Sequence, residues 1–108
     1  MTRLALSIAA ILLSAPAFAA EDLAQDVSED MRTTCAYQSQ VVAAIQQARL
    51  DRVAERDVPD HILATSPDWP ENYNTVIPLI APWVYEQKRA VLRNEDLGAA
   101  WNELCVLQ

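Results

Sequence analysis

A stretch without glycine or proline, over residues 21–58, constrains the fold of this chain more than any other feature. Apolar residues within it, such as Cys35 and Val42, recur at the spacing of one helix face. The whole chain has one glycine, Gly98, which argues against a turn-rich β architecture. We therefore predict an all-α fold, a small bundle of three to five helices, whose first helix covers residues 30–56.

Prolines and capping residues divide the rest of the chain into shorter segments. Asp57 and Pro59 suit the start of a short helix over 58–64, because Asp caps helices and Pro fits their first turn. Residues 87–93 are predicted to be a connection or a frayed continuation. Asn94 is predicted to cap the last helix.

Residues 70–87 combine helical spacing with two prolines, Pro78 and Pro82. A proline inside a helix removes a hydrogen bond and bends the helix, so we favour one kinked helix here. The alternative is a break at Ile77, after which Pro78 starts a second helix. The predicted core of the bundle consists of Met31, Val42, Ile45, Leu63, Tyr73, Ile77, Ile80, Val84, Leu97, Trp101 and Leu104.

Residues 1–19 have the form of a secretory signal peptide. They combine a basic start, an apolar run over 4–13 and a small-x-small ending at 17–19. Removal of this signal peptide would leave one helical domain, 20–108, in which residues 20–30 are either loose or form a leading turn of helix. We expect a periplasmic or secreted bacterial protein with no membrane anchor after cleavage.

Cys35 and Cys105 are the only cysteines. An even number of cysteines in an exported protein favours a disulfide, here between the start of the first helix and the end of the last. The bridge would close a loop of roughly 70 residues and contribute about 4 kcal/mol. The alternatives are a redox pair, a metal site or bridges between chains. However, Cys-x-x-Cys is absent, and His61 is the only histidine.

Charge and motifs argue against several functions. With 8 basic and 15 acidic residues the chain has a formal charge of −7, which disfavours nucleic acid as a partner. His61, Asp57 and Asp60 form a small polar group, but one histidine and two carboxylates predict an exposed helix start rather than a metal or proton-transfer site. No Ser-His-acid motif or glycine-rich loop occurs, so we predict no enzyme, no cofactor and no metal.

Aromatic residues concentrate in the proline-containing segment, where Trp69, Tyr73, Trp83 and Tyr85 are a candidate interaction surface. Tryptophan and tyrosine are enriched at protein interfaces. The competing hypothesis is that these rings, together with Trp101, fill the core of a small domain.

Three arginines, Arg49, Arg52 and Arg56, recur at helical spacing towards the end of the first predicted helix. We expect them to pair with neighbouring carboxylates such as Asp51 and Glu55. The alternative hypothesis is an anion site.

Several landmarks follow one another along the chain: Cys35, Ala48-Arg49, Arg56 with Val58, Trp83-Val84-Tyr85, and Trp101 with Cys105. Their order resembles that in a loose group of small exported proteobacterial helical proteins that have two cysteines and no assigned activity. The chain departs from the group at Asp57, where a glycine is expected. The resemblance implies only the fold and the compartment, because the group has no activity to transfer.

Together these features predict a small exported helical protein that acts through contacts with an unidentified protein partner. The alternative is a small-ligand carrier or enzyme with an aromatic groove around Trp83 and Tyr73. The sequence predicts no particular oligomeric state.

Overall fold

The computed structural model describes residues 28–108, in which five α-helices and two short 3-10 helices occur and no strand is present. The predicted all-α fold is therefore confirmed. The predicted signal peptide, and the segment 20–30 up to residue 27, lie outside the described residues. In chain order the elements are α1 (Glu29–Leu50), a first 3-10 helix (Glu55–Asp57), α2 (Val58–Leu63), a second 3-10 helix (Glu71–Val76), α3 (Ile77–Glu86), α4 (Arg89–Asn94) and α5 (Leu97–Val106).

Helix α1 is the long central element against which the other helices pack. It starts at a standard cap, because the Ser28 hydroxyl accepts a hydrogen bond from the Met31 N–H at 3.1 Å. Glu29 and Asp30 in its first turn add negative charge where the helix dipole favours it. Its buried face consists of Cys35, Val41, Val42, Ile45, Gln46 and Ala48.

The end of α1 comes at Leu50, earlier than predicted. Arg52 has a φ of 65°, the left-handed conformation in which helices commonly stop. Its N–H donates to the carbonyl of Arg49 at 3.1 Å, and the Val53 N–H donates to the carbonyl of Ala48 at 3.0 Å. This is a Schellman motif, which usually has glycine at the position of Arg52. The predicted boundary was wrong because no glycine or proline marks it.

The two proline-containing segments start helices. Pro59 lies in the first turn of α2 as predicted, although the side chain of Asp57 makes no capping hydrogen bond. The segment 70–87 forms two elements, as in the alternative: a 3-10 helix changes to α3 at Ile77, with Pro78 in the first turn of α3. The backbone stays helical at Val76 and Ile77, however, so the predicted break between the two elements does not occur. Pro82 lies inside α3 and is exposed, on the side that solvent reaches.

Residues predicted to form a connection fold as the short helix α4 instead. Asn94 is the last residue of α4, and its side-chain amide donates to the carbonyl of Ala90 at 2.8 Å. The cap of α5 is Asp96, whose carboxylate accepts from the Ala99 N–H at 3.0 Å. The predicted cap, Asn94, was therefore wrong by two positions. Asn and Asp favour helix caps about equally, so the sequence did not distinguish Asn94 from Asp96.

A buried glutamine holds the turn between α4 and α5 against α1. The Gln46 amide donates to the carbonyl groups of Leu92, at 2.7 Å, and Glu95, at 2.8 Å. Its oxygen accepts from the Leu97 N–H at 3.2 Å. One side chain thus satisfies three backbone groups at two helix ends, where intrahelical partners are missing.

The core lies between α1 and the buried face of α3, with contributions from α2, α4 and α5. Six predicted core residues are buried: Val42, Ile45, Ile77, Ile80, Val84 and Leu97. Tyr73 and Trp101 are half-buried. Met31, Leu63 and Leu104 are 37%, 43% and 63% exposed, so their assignment to the core was wrong. Helical spacing marks an apolar side of a helix, but it does not say which part of that side meets a neighbour.

Two features bring α5 close to the first half of α1. The disulfide between Cys35 and Cys105 is present, with 5.7 Å between the Cα atoms, as predicted. Gly98 is buried, and its carbonyl accepts from the Ser39 hydroxyl at 2.8 Å. A Cβ atom at position 98 would lie 2.8 Å from the backbone oxygen of Ser39, so only glycine permits this approach.

Candidate functional site

Trp69 belongs to the core rather than to an interaction surface. It is 8% exposed and contributes to the main apolar cluster. Its indole N–H donates to the Asn74 side chain at 2.8 Å, which satisfies the one polar group of the ring. The candidate surface therefore loses its first member.

Tyr73 and Tyr37 form an aromatic contact, with ring centroids 5.1 Å apart. Both are half-buried, and the Tyr73 hydroxyl lies 3.5 Å from the hydroxyl of Thr34. The pair joins the second 3-10 helix to α1. Within residues 28–108 the ring contacts pair Tyr73 with Tyr37 and Trp83 with Trp101, so Tyr73 and Trp83 belong to two separate aromatic pairs.

Tyr85 supports the end of α1. Its hydroxyl donates to the carbonyl of Val53 at 2.6 Å, and the guanidinium of Arg49 lies 5.2 Å from the ring centroid. Burial raises the pKa of Tyr85; Arg49 opposes this effect and the negative charge of Glu55 adds to it. Tyr85 faces away from Trp83, because two positions on an α-helix differ by roughly 200°.

Trp83 is the member of the predicted set that stays on the surface, at 36% exposed. Its ring lies 5.8 Å from that of Trp101, so the pair spans α3 and α5. Leu79, 77% exposed, precedes Trp83 by one helical turn, and Leu104, 63% exposed, follows Trp101 by one turn. We call these four side chains the tryptophan face.

Two contacts fix the tryptophan face in place. The Trp101 indole N–H donates to the Gln38 side chain at 3.0 Å, and Cys105 ties the same helix to α1. A small cavity of about 170 Å³ lies beside it, lined by Gln38, Trp101, Leu104, Cys105 and Gln108. Cavities that hold small molecules usually measure roughly 300–1,000 Å³. The geometry therefore suits contact with another surface better than enclosure of a ligand.

The polar group around His61 provides no metal centre. His61 lies exposed on α2, close to Asp57 and Asp60 in sequence. In the part of the chain that the structure describes, no group of three His, Cys, Asp or Glu residues could hold a metal ion. No helix of residues 28–108 is long and apolar enough to cross a membrane.

The arginines form a different group from the one the sequence indicated. Arg56 lies apart, on the first 3-10 helix beside Pro59 and Pro82. Sequence reasoning missed the basic residues of α4, because it treated that segment as a connection. We call the group formed by the end of α1 and by α4 the arginine cluster; its members are Arg49, Arg52, Arg89 and Arg93.

No protein-family model matches the chain, and neither the curated proteins nor the solved structures include a significant match. The resemblance to small exported proteobacterial proteins therefore stays a prediction.

Proposed function

We propose that this chain is an exported, disulfide-closed helical domain that acts by binding another protein through its tryptophan face. The observation that carries the proposal is the exposure of Leu79 and Leu104 on either side of the Trp83–Trp101 contact. Contiguous apolar side chains on a small soluble domain commonly mark an interaction site. Single exposed apolar residues, such as Leu63, carry no such meaning.

Binding at this face would be supported by both burial and rigidity. Covering an exposed leucine contributes roughly 1.5–3 kcal/mol, and tryptophans are common interface hot spots. Because Gln38 and the disulfide already fix Trp101, little side-chain freedom would be lost on binding. Two exposed acidic residues are close to the face in sequence: Glu86 follows Trp83 by three positions on α3, and Glu103 precedes Leu104 on α5. We therefore expect a protein partner with an apolar patch and a basic rim.

A photo-crosslinking amino acid at position 79 of the full chain, expressed in its own cell envelope, tests the proposal. We expect one defined adduct with another protein and its loss when Leu104→Glu is added. The matched control places the same crosslinker at Leu63, an exposed leucine on α2 that is not a member of the face. Equal adducts from both positions, no adduct from either, or only a dimer of the chain would contradict the proposal.

Export is tested separately, by fractionating the cells and measuring the intact mass. We expect a periplasmic or secreted chain that begins at residue 20 and has no free thiol. Retention of residues 1–19 on a cytosolic chain with Cys35 and Cys105 reduced would contradict export.

A further inference from the structure

We propose that the arginine cluster is a binding site for a phosphate-type oxyanion. The site is independent of the tryptophan face and of the protein contacts proposed there. Its four members come from the last turn of α1, the turn that follows it, and α4, and the fold brings these distant parts of the sequence together beside Tyr85.

The fold places these guanidinium groups together by a fixed register. Gln46 binds the carbonyl of Leu92, and this bond sets α4 against the last turns of α1. Arg49 lies one turn after Gln46, and Arg89 lies one turn before Leu92. Arg93 follows Arg89 by four positions and so shares its side of α4. The inner two arginines, Arg49 and Arg89, are half-buried, whereas the outer two are exposed.

The cluster has unused hydrogen-bond donors. No carboxylate of residues 28–108 forms an ion pair with any of its four members. The Nε of Arg49 is buried and has no hydrogen-bond partner, an arrangement that costs stability in a folded protein. The ring of Tyr85 beneath Arg49 holds its guanidinium without occupying the N–H groups at its edge.

Positive charge accumulates here although the chain as a whole is acidic. Burial lowers the pKa of Arg89, and the charges of Arg52, Arg49 and Arg93 lower it further. A bound anion would relieve this repulsion between like charges.

Arg52 adds a backbone observation to the same site. It holds a φ of 65°, a conformation that glycine adopts with least strain. Backbone strain of this kind is found at functional sites more often than elsewhere. An arginine in this position is explained if its side chain has a role that glycine could not supply.

The chemistry of the cluster favours a phosphate group over other anions. Guanidinium forks bind phosphate oxygens in pairs, and several of them match an anion with more than one charge. A nucleic acid is disfavoured by the net charge of −7. The phosphate group could belong to a free solute or to a lipid headgroup, and the experiment separates these sources.

The test is an NMR titration of the full, disulfide-closed protein with inorganic phosphate at low ionic strength, with the arginine Nε–H signals observed. We expect saturable binding and a shift of the Arg49 signal as its N–H gains an acceptor. Arg89→Gln should weaken binding at least tenfold. Arg56→Gln, which changes an arginine outside the cluster, should leave it unchanged.

Arg52→Gly keeps the test valid if other variants unfold. It should weaken phosphate binding at least threefold while the protein melts at the same or a higher temperature. Vesicles of phosphatidylglycerol that bind through the same arginines, with phosphatidylcholine vesicles inactive, would support the site and identify a headgroup as the source. No saturation with either probe, equal loss in Arg56→Gln, or binding of an acidic peptide in place of phosphate would overturn the proposal.

Discussion

The two ends of α1 are attached to the bundle by different chemistry. Its first half is joined to α5 by the disulfide and by the close approach at Gly98. Its second half is joined to α3 and α4 by hydrogen bonds from Gln46 and Tyr85 and by a ring beneath Arg49. The tryptophan face lies beside the first attachment and the arginine cluster beside the second.

This difference shows how a small domain can keep two unlike surfaces. A covalent bond stabilises the first half of α1, so apolar side chains such as Leu79 and Leu104 can stay outside the core. The second half depends on polar groups satisfying each other, and there the surface is charged. We expect perturbations of one attachment to leave the local structure of the other largely intact.

Removing the disulfide should have the largest effect. Replacement of Cys35 and Cys105 by serine is expected to lower the free energy of unfolding by about 4 kcal/mol, because the unfolded chain loses a long loop constraint. Urea denaturation measures this loss. Amide exchange in α5 should speed up more than exchange in α4. Equal acceleration in both helices would contradict the separation of the two attachments.

Gln46→Leu should break the second attachment. It leaves three backbone groups of the α4–α5 turn without partners, so we expect a loss of about 3 kcal/mol in urea denaturation. The adjacent Gln47 is exposed, and its side-chain amide donates to the carboxylate of Asp51 at 3.0 Å, so Gln47→Leu is the matched control and should change little. A loss of under 1 kcal/mol in Gln46→Leu would show that water replaces the glutamine.

Gly98→Ala should weaken the first attachment without touching the sulfurs. The added methyl meets a backbone oxygen of Ser39, which cannot move away as a side chain could. We expect a loss of about 2 kcal/mol, even though alanine favours helices over glycine. Adding Ser39→Ala should not restore stability, because the close contact is with the backbone. Restoration would place the strain at the hydroxyl instead.

The smallest predicted effect has the opposite sign. Arg52→Gly should raise the free energy of unfolding by about 0.5–1 kcal/mol, because glycine adopts a positive φ freely. Arg56 has an ordinary helical environment, so Arg56→Gly should destabilise by a similar amount. Thermal melts of the two variants, run side by side, test this contrast. A destabilised Arg52→Gly protein would mean that the arginine side chain supports the fold.

Much of this architecture could be predicted from local patterns. The apolar spacing identified α1, proline at a first turn identified α2, and two cysteines in a chain with the form of an exported protein identified the disulfide. These features succeed because each depends on neighbours in sequence or on a single pairing choice. The tryptophan at position 83 was also part of the predicted surface.

The missed features depend on tertiary contacts. Gln46 looks like any surface glutamine until α4 covers it, and α4 itself is a six-residue helix that depends on tertiary contacts such as this bond and the burial of Leu92. The end of α1 has no sequence signal, because Arg52 adopts a conformation typical of glycine. The arginine cluster joins residues about forty positions apart, so no local pattern could reveal it.

The contact between Gln38, Trp101 and Cys105 has an optical consequence. Gln38 lies 3.0 Å from the indole nitrogen and 3.7 Å from the sulfur, so the indole and the disulfide are close neighbours. Disulfides quench the fluorescence of nearby indoles. Reduction of the disulfide should therefore increase the fluorescence of Trp101. Intrinsic tryptophan fluorescence would then distinguish the oxidised from the reduced protein.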